Sequence, residues 1–586
     1  MMRSAAVYTA LLMSAFTVAD AAPAVATVFY DAHVFTADSA APYAEAVAIR
    51  GDSIIAVGEL NAVKGVAGPE ARLIDLKGKF LMPGFIDAHA HPISGGMTLV
   101  RPNYPDLRDS IPDLVRFVGA QLPMKGNRLG DVLVVYSVDI GFWSHSADID
   151  AVLSGGQFAK QPILLLGSDG HTAWANRLAR TRAGITQDYL RGLSASDLRY
   201  YGYDKDLKPN GFLVDNGKSK FERTLPPETP ESMLPVGRAA VHYMNGQGIT
   251  GWLDAAVAGD VGGDVPVSAT DPGFLPVYAD LAKRGELSAH VAAYPVVHPD
   301  DGVSQIDVVE TFRAQYKDIP NLTLPGLKVF ADGVVEIPAH TAALTKPYRD
   351  TGKMTPLLFT PAKMNALVTE ANRRGLLVHV HAIGDLAVKA ALDAFEASRK
   401  ANPGSTLQNT LTHAQFVDPE DIPRFAQLHV LAALQLDWAI ADPSTNEMVK
   451  PYIDPGIYAW MYPARSMLEA GTEIAGASDW PVTTANPFEA IYQAETRAGP
   501  QGVLNAAQRM PRDAMLYAYT RNAAKVLNQW DHIGSLAPGK LADMILVDRD
   551  ILTVTAKQVL NAKVVWTMFG GKIVYGAAPQ GYTTEP

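Results

Sequence analysis

Eight short apolar runs, separated by helical patterns, constrain this chain more than any other feature. They lie at 85–87, 249–254, 289–294, 327–330, 376–380, 411–413, 431–435 and 473–476, with helical segments such as Pro361–Arg374 and Gly384–Ala397 between them. A short run that is apolar throughout suits a strand buried on both faces, as in a parallel sheet covered by helices. Eight such strands alternating with helices predict an α/β fold, a (β/α)8 TIM-type barrel, over residues 85–533. Polar residues crowd the C-terminal ends of the runs, which is where barrels of this kind keep their active sites.

One spacing breaks the alternation. His91 and Ile249 are 158 residues apart, far more than one βα unit needs. An insertion of about 95–245 is expected after the first strand, with strands of its own at 131–136 and 162–166. Placed at the C-terminal face, it would cover the active site like a lid. The two ends of the chain share a different style. Short Val/Ile-rich segments separated by turn signals occupy 27–84 and recur over 534–586, so both ends are expected to build one small β-sandwich domain. The first 26 residues carry Arg3, an apolar run from Ala5 to Val18, and the small-residue triplets ending at Ala21 and Ala26. That is the layout of a secretory signal peptide, and it places the protein in the periplasm or outside the cell.

Composition narrows the chemistry. A net charge of −11 leaves no basic footprint for nucleic acid. With no cysteine, thiolate nucleophiles, disulfides and Cys-ligated zinc are excluded. Any metal must be held by His, Asp, Glu or a modified Lys. The run Phe85-Ile86-Asp87-Ala88-His89-Ala90-His91-Pro92 offers such ligands. Alternate residues of a strand face the same side, so His89 and His91 would present two imidazoles together. Further candidates end later strands: His379 and His381 on the fifth, His413 on the sixth, Asp479 on the eighth, with Lys328 on the fourth. An ordinary ion pair of Lys328 with Asp332 or Glu336 is the alternative for that lysine.

This order of HxH, Lys, His, His and Asp, each on its own strand, resembles the amidohydrolase superfamily. The chain looks most like its family 3 branch, which includes N-substituted formamide deformylases and YtcJ-like proteins. Branch-level matches are Ser168-Asp169-Gly170-His171-Thr172-Ala173-Trp174-Ala175-Asn176, His381-Ala382-Ile383-Gly384-Asp385 and Gly476-Ala477-Ser478-Asp479-Trp480-Pro481. The resemblance implies one or two divalent ions, commonly zinc. His89 and His91 would bind the more buried ion, His381 and His413 the second, and a carboxylated Lys328 would bridge them. Asp479 would bind metal and act as general base. His381 is preferred over His379 because the family's histidine directly precedes AlaIleGlyAsp, and His379 remains a rival on the same strand face. His171 is expected to reach from the insertion and position substrate, with a structural hydrogen bond in a turn as its alternative. His340 has no assigned role.

These readings point to a hydrolase that cleaves a C–N bond, of amide or N-formyl type, through a metal-activated water. Esterase, lactonase or deaminase chemistry on the same metals is the alternative, and so is a non-catalytic binding or regulatory protein on the same scaffold. Phe142, Trp143, Trp174, Trp438 and Trp480 lie beside these motifs and hint at an apolar or aromatic substrate group. The stretch Asp139–Trp143 departs from the family's GlyTrpAsp-like run, which weakens any carry-over there. The expected partner is a small molecule. No nucleic acid is expected, nor a membrane once the leader is removed, and a homodimer is the assembly considered.

Overall fold

All eight apolar runs are strands. The computed structural model describes residues 25–583, apart from 106–109, 125, 260–267 and 301. In chain order the barrel strands are Phe85–Ala90, Ile249–Asp254, His290–Ala293, Gly326–Phe330, Leu377–Ala382, Thr410–His413, Leu431–Leu434 and Ile474–Gly476. Every residue in them is buried. That explains the unbroken apolar runs: neither face meets water, so a polar residue there needs a buried partner, as His290 has in Asp543 at 2.8 Å.

Successive strands pair in parallel from the first to the third and from the fourth to the eighth. Two short sets of backbone contacts complete the ring. Val296 bridges to Lys328 between the third and fourth strands. At the other junction the Asp479 amide donates to the His89 carbonyl, and the His91 amide to the Trp480 carbonyl, both at 2.8 Å. The barrel is therefore closed by the same residues that carry the predicted metal ligands.

The helical shell forms for local reasons as well. Thr360 accepts from the Lys363 amide and Pro361 opens the helix Pro361–Arg373, a favourable start because proline's missing N–H is an unpaired position there anyway. That helix packs against Asp385–Ala401, whose Ala387, Val388, Ala391, Leu392 and Phe395 recur at helical spacing and are buried.

The insertion has its own hydrophobic core, including Leu133, Val135, Leu164, Trp174 and Phe212. Its six-stranded sheet contains Val132–Val138 and Ile163–Gly167 as a parallel pair, where strands were expected. The helix Pro230–Gly246 differs from the rest of the segment. It packs on the helix Pro92–Val100 and gives Val236, Ala240 and Met244 to the barrel core, so the separately packed part of the insertion ends before it.

The two chain ends meet in one eight-stranded sheet. Thr27–Phe35 pairs in parallel with Arg72–Pro83, and Met544–Val547 pairs antiparallel with the end of that same long strand, Ile545 opposite Met82. Phe29, Leu81, Met544 and Trp566 fill a common core. Arg72–Pro83 then runs through Gly84 directly into the first barrel strand. The leader expected over residues 1–26 lies, up to residue 24, outside the described residues. Among the described residues no helix is long and apolar enough to cross a membrane.

Candidate metal centre

Strand alternation brings the candidates to one place. Lys328 and Phe330 are register neighbours of His379 and His381, so all four share the face that looks into the barrel. His413 ends its strand with φ 70° and Asp479 follows its strand with φ 57°. Non-glycine residues rarely adopt this left-handed backbone, and such strain gathers at functional sites. Here it turns both side chains inward from strand ends.

His89 Nε2 and His91 Nε2 each lie 3.2 Å from Asp479 Oδ1. One ligand atom from each of the three falls within 4.8 Å of the others. The His381 and His413 rings lie 4.5 Å apart between centroids, and His413 lies 5.0 Å from His89. All six predicted ligand residues are thus in one neighbourhood, with Lys328 below them. His89, Lys328, His381 and His413 are at most 2% exposed.

Several buried groups hold these side chains. Asp87 accepts from the His89 and Ser478 amides at 3.1 and 3.0 Å and from the Ser478 hydroxyl at 2.5 Å. This ties the first strand to the eighth and sets His89 opposite Asp479. Burial pushes the Asp87 carboxyl up to about 7 despite those bonds. His413 Nδ1 lies 3.0 Å from Gln435 Oε1, which fixes Nδ1 as the donor and leaves Nε2 free to ligate. His381 Nε2 donates to the Gly333 carbonyl at 3.1 Å, leaving Nδ1 for a metal. Asp87 and Gln435 stood inside runs already singled out in the sequence, but nothing local marked them as supports.

The structure separates the two fifth-strand histidines. His381 borders the open space above the site, whereas His379 does not. His379 Nε2 instead sits 2.6 Å from His89 Nδ1, one layer deeper. The lysine alternative also resolves. The Asp332 carboxylate is taken by the Ala343, Ile383 and Gly384 amides at 2.9–3.0 Å, and Glu336 is bonded to Gln415. Lys328 Nζ is buried with no hydrogen-bond partner. Burial pushes its ammonium down to about 7, with Asp479 as the opposing charge. Burial alone would raise the Asp479 carboxyl, but contact with His91 and the nearness of His413 and Lys328 hold it below the usual range. Asp479 Oδ1 also lacks a hydrogen bond of good geometry. Buried imidazoles, a carboxylate and these unsatisfied polar atoms fit a divalent cation, and the nitrogen and oxygen donor set suits zinc-type ions.

His171 comes from the insertion. Its Nδ1 is 2.7 Å from Asp215 Oδ1, and its ring lies 5.5 Å from that of His381. Burial would lower its pKa, but the bond and charge of Asp215 and the charge of Asp169 raise it overall. Asp215, at φ 45°, was not anticipated from sequence. It lies 44 residues from His171, and only the antiparallel pairing of Thr172–Ala175 with Pro209–Val214 brings them together.

Two cavities, of 390 and 840 Å³, meet here, and His171, His381, His413 and Asp479 line both. The Ser168–His171 loop of the insertion borders them. The aromatic expectation needs correcting. Trp143, Trp174 and Phe142 pack in the insertion core and Trp480 in the barrel core, stacked on Tyr243 at 4.6 Å. Only Trp438 of the four tryptophans borders a cavity, stacked on His413 at 5.6 Å and 8°. Proximity in sequence to a strand end did not tell which side of the strand end each ring would take. Tyr136, Phe274 and Phe330, not singled out before, line the smaller cavity. His340 stacks on Tyr348 at 4.2 Å, a packing role.

Residues 72–575 match the amidohydrolase family. The chain is 28% identical to the LONG AFTER FAR-RED 3 protein of Arabidopsis thaliana, over 92% of this chain and 90% of that one. It is 25% identical to an N-substituted formamide deformylase of Arthrobacter pascens, over 93% and 97% respectively. A metal-dependent hydrolase of Pyrococcus horikoshii superposes with a TM-score of 0.68 at 22% identity, covering 91% of this chain and 99% of that one.

Proposed function

Since this chain belongs to the amidohydrolase family, we propose that it hydrolyses a C–N bond, of amide or N-formyl type, in a small molecule with an apolar or aromatic group. The observation that carries this reading is the convergence of His89, His91 and Asp479 on one point, beside the buried, unpaired Lys328 Nζ. His89, His91 and Asp479 would hold one divalent ion, zinc by donor chemistry, and His381 and His413 a second. Lys328 would serve both ions as a carbamate, formed when its neutral amine adds to CO₂ and releases a proton to solvent. The depressed lysine pKa favours that neutral amine.

A divalent ion bound there supplies Lewis acidity and makes water acidic enough to react near neutral pH. The protein's own groups do the rest. Asp479, held as a carboxylate, accepts the proton of the attacking water and passes it to the leaving nitrogen. His171, oriented by Asp215, donates a hydrogen bond to the substrate carbonyl side of the site. The deformylase among its relatives acts on the same class of bond, which supports the amide or formamide choice over ester, lactone or deamination chemistry. The leader reading carries the further proposal that the protein works in the periplasm or outside the cell.

Metal analysis and turnover test this together. Purified protein should carry close to one or two equivalents of transition metal, and chelation should lower its melting temperature and abolish hydrolysis of N-acyl or N-formyl amines. Protein that lacks metal, with a melting temperature unmoved by chelators, would refute the hydrolase reading in favour of a binding protein on the same scaffold. Asp479→Asn should remove turnover, and an unchanged rate would remove Asp479 from the role of base.

A further inference from the structure

The two cavities that meet at the metal centre differ in chemistry. The smaller is apolar, walled by Met97, Val134, Tyr136, Phe274 and Phe330. Its two basic side chains are each neutralised: Arg101 faces Glu228 at 2.6 Å and Lys218 faces Glu222 at 3.1 Å. The larger is lined by Glu336, Asp437, Asp442 and Glu447, and by no lysine or arginine among the described residues. Carboxylates without a counter-charge are costly in a partly enclosed space.

A second observation shows what the larger cavity lacks. Tyr462 lines it, is only 3% exposed, and its hydroxyl makes no hydrogen bond among the described residues. Burial first, and then the charges of Glu336 and Asp442 against that of Arg497, keep the phenol neutral. The Asp437 carboxylate likewise has no hydrogen bond or ion pair there, whereas Asp442 is bonded to Thr445 and Glu447 to Gln501. Burial, with Glu489 and Asp442 nearby, pushes Asp437 up to about 7, and a cation beside it would favour the carboxylate. Trp438 and Tyr452 on the same wall offer aromatic rings to a cation.

We propose that the larger cavity is a subsite for a cation, so that the substrate is an amide with an apolar group on one side of the scissile bond and an ammonium or guanidinium group on the other. The Tyr462 hydroxyl accepts a hydrogen bond from the cation, and Asp437 and Glu336 supply the counter-charge. The apolar group takes the smaller cavity, and the bond to be cut lies at the junction beneath His171 and Asp479. The substrate assignment rests on the proposed hydrolase reading, whereas the cation subsite itself is read by binding alone.

The test uses a matched pair, N-phenylacetyl-1,4-diaminobutane and N-phenylacetylpentylamine, in which a methyl replaces the ammonium. Affinity for the metal-loaded full-length protein is measured by calorimetry, and kcat/KM where turnover occurs. The cationic compound should be preferred by about tenfold or more, since hydrogen bonds to charged groups reach that size. The preference should shrink in Asp437→Asn and Tyr462→Phe, and on raising the salt concentration with the unaltered protein. Equal or tighter binding of the neutral compound, or a preference indifferent to both salt and substitution, would overturn the proposal. The salt series keeps the test decisive if a variant fails to fold. Cation-selective binding without any turnover would uphold the subsite and refute the hydrolase reading, so the two fail separately.

Discussion

Replacing His379 by leucine isolates what a buried imidazole outside the ligand set does for the metal. His379 Nε2 lies 2.6 Å from His89 Nδ1, and neither residue is more than 1% exposed. With His89 Nε2 directed at Asp479 and the ion, the Nδ1–H must donate to His379, which fixes the tautomer and the ring plane. Losing such an outer hydrogen bond typically weakens metal binding by about 10- to 100-fold, or about 1.4–2.7 kcal/mol. The stranded His89 Nδ1–H adds a desolvation cost of about 1–3 kcal/mol, part of which appears as lower stability of the folded protein. Competition against a fluorescent zinc chelator should therefore show His379→Leu weakened by about tenfold or more with its stoichiometry kept. His379→Gln, whose Oε1 can reach the Nε2 position and accept, should recover most of that loss. Unchanged affinity in the leucine variant would refute the positioning role. Loss of a whole equivalent of metal, not restored by glutamine, would show that His379 is itself a ligand.

Three further outcomes follow from the same contacts. Gly384→Ala would place a Cβ 1.9 Å from the Ala343 carbonyl, backbone against backbone, beside the amides that cradle Asp332. The urea midpoint should fall by the equivalent of about 2–4 kcal/mol, and a change under about 0.5 kcal/mol would contradict the fit. Asp215→Ala removes the partner of His171 Nδ1 and should lower kcat by about tenfold or more while metal content stays constant. Loss of metal instead would mean that the pair supports the ion and not the substrate. Asp437 titrates near 7 in the fold against 3.8 ordinarily, so between those values the native state holds a proton that the unfolded state has released. Stability from this group therefore falls as pH rises from about 4 to 7, by at most about 4 kcal/mol and nearer 2 after discounting its partial exposure. Asp437→Asn should gain on the unaltered protein in urea midpoint between pH 5 and pH 8, and a difference independent of pH would refute the shift.

The barrel was legible in the linear chain because its signal is local and repeated. A strand buried on both faces must be apolar along its length, and all eight runs became strands within a few residues. The candidate positions of the HxH run, Lys328, the two fifth-strand histidines, His413 and Asp479 were legible for the same reason, since the end of a barrel strand is both a position in sequence and a position at the site, whereas the preference for His381 came from the family resemblance. What the chain could not reveal depends on contacts between distant segments. Asp215 reaches His171 through a sheet pairing, Asp87 clamps Ser478 across 391 residues, and Asp332 turns away from Lys328 to bind three amides. No local pattern distinguished a tryptophan packed in a core from Trp438 on the cavity wall, because each lies beside a motif of the same polar style in sequence.

Composition and periodicity thus determined the barrel and the kind of atoms that can meet at its mouth. The absence of cysteine left only nitrogen and oxygen donors, and two-residue spacing put His89 and His91 on one side. Tertiary structure decided which histidine faces the cavity and which stands behind it, that the lysine has no carboxylate partner, and that an apolar and an acidic chamber open from one centre. Periodicity fixes which way a side chain leaves its own strand. What it then meets depends on where the closed barrel and the insertion bring other segments, and that is settled only when the whole chain has packed.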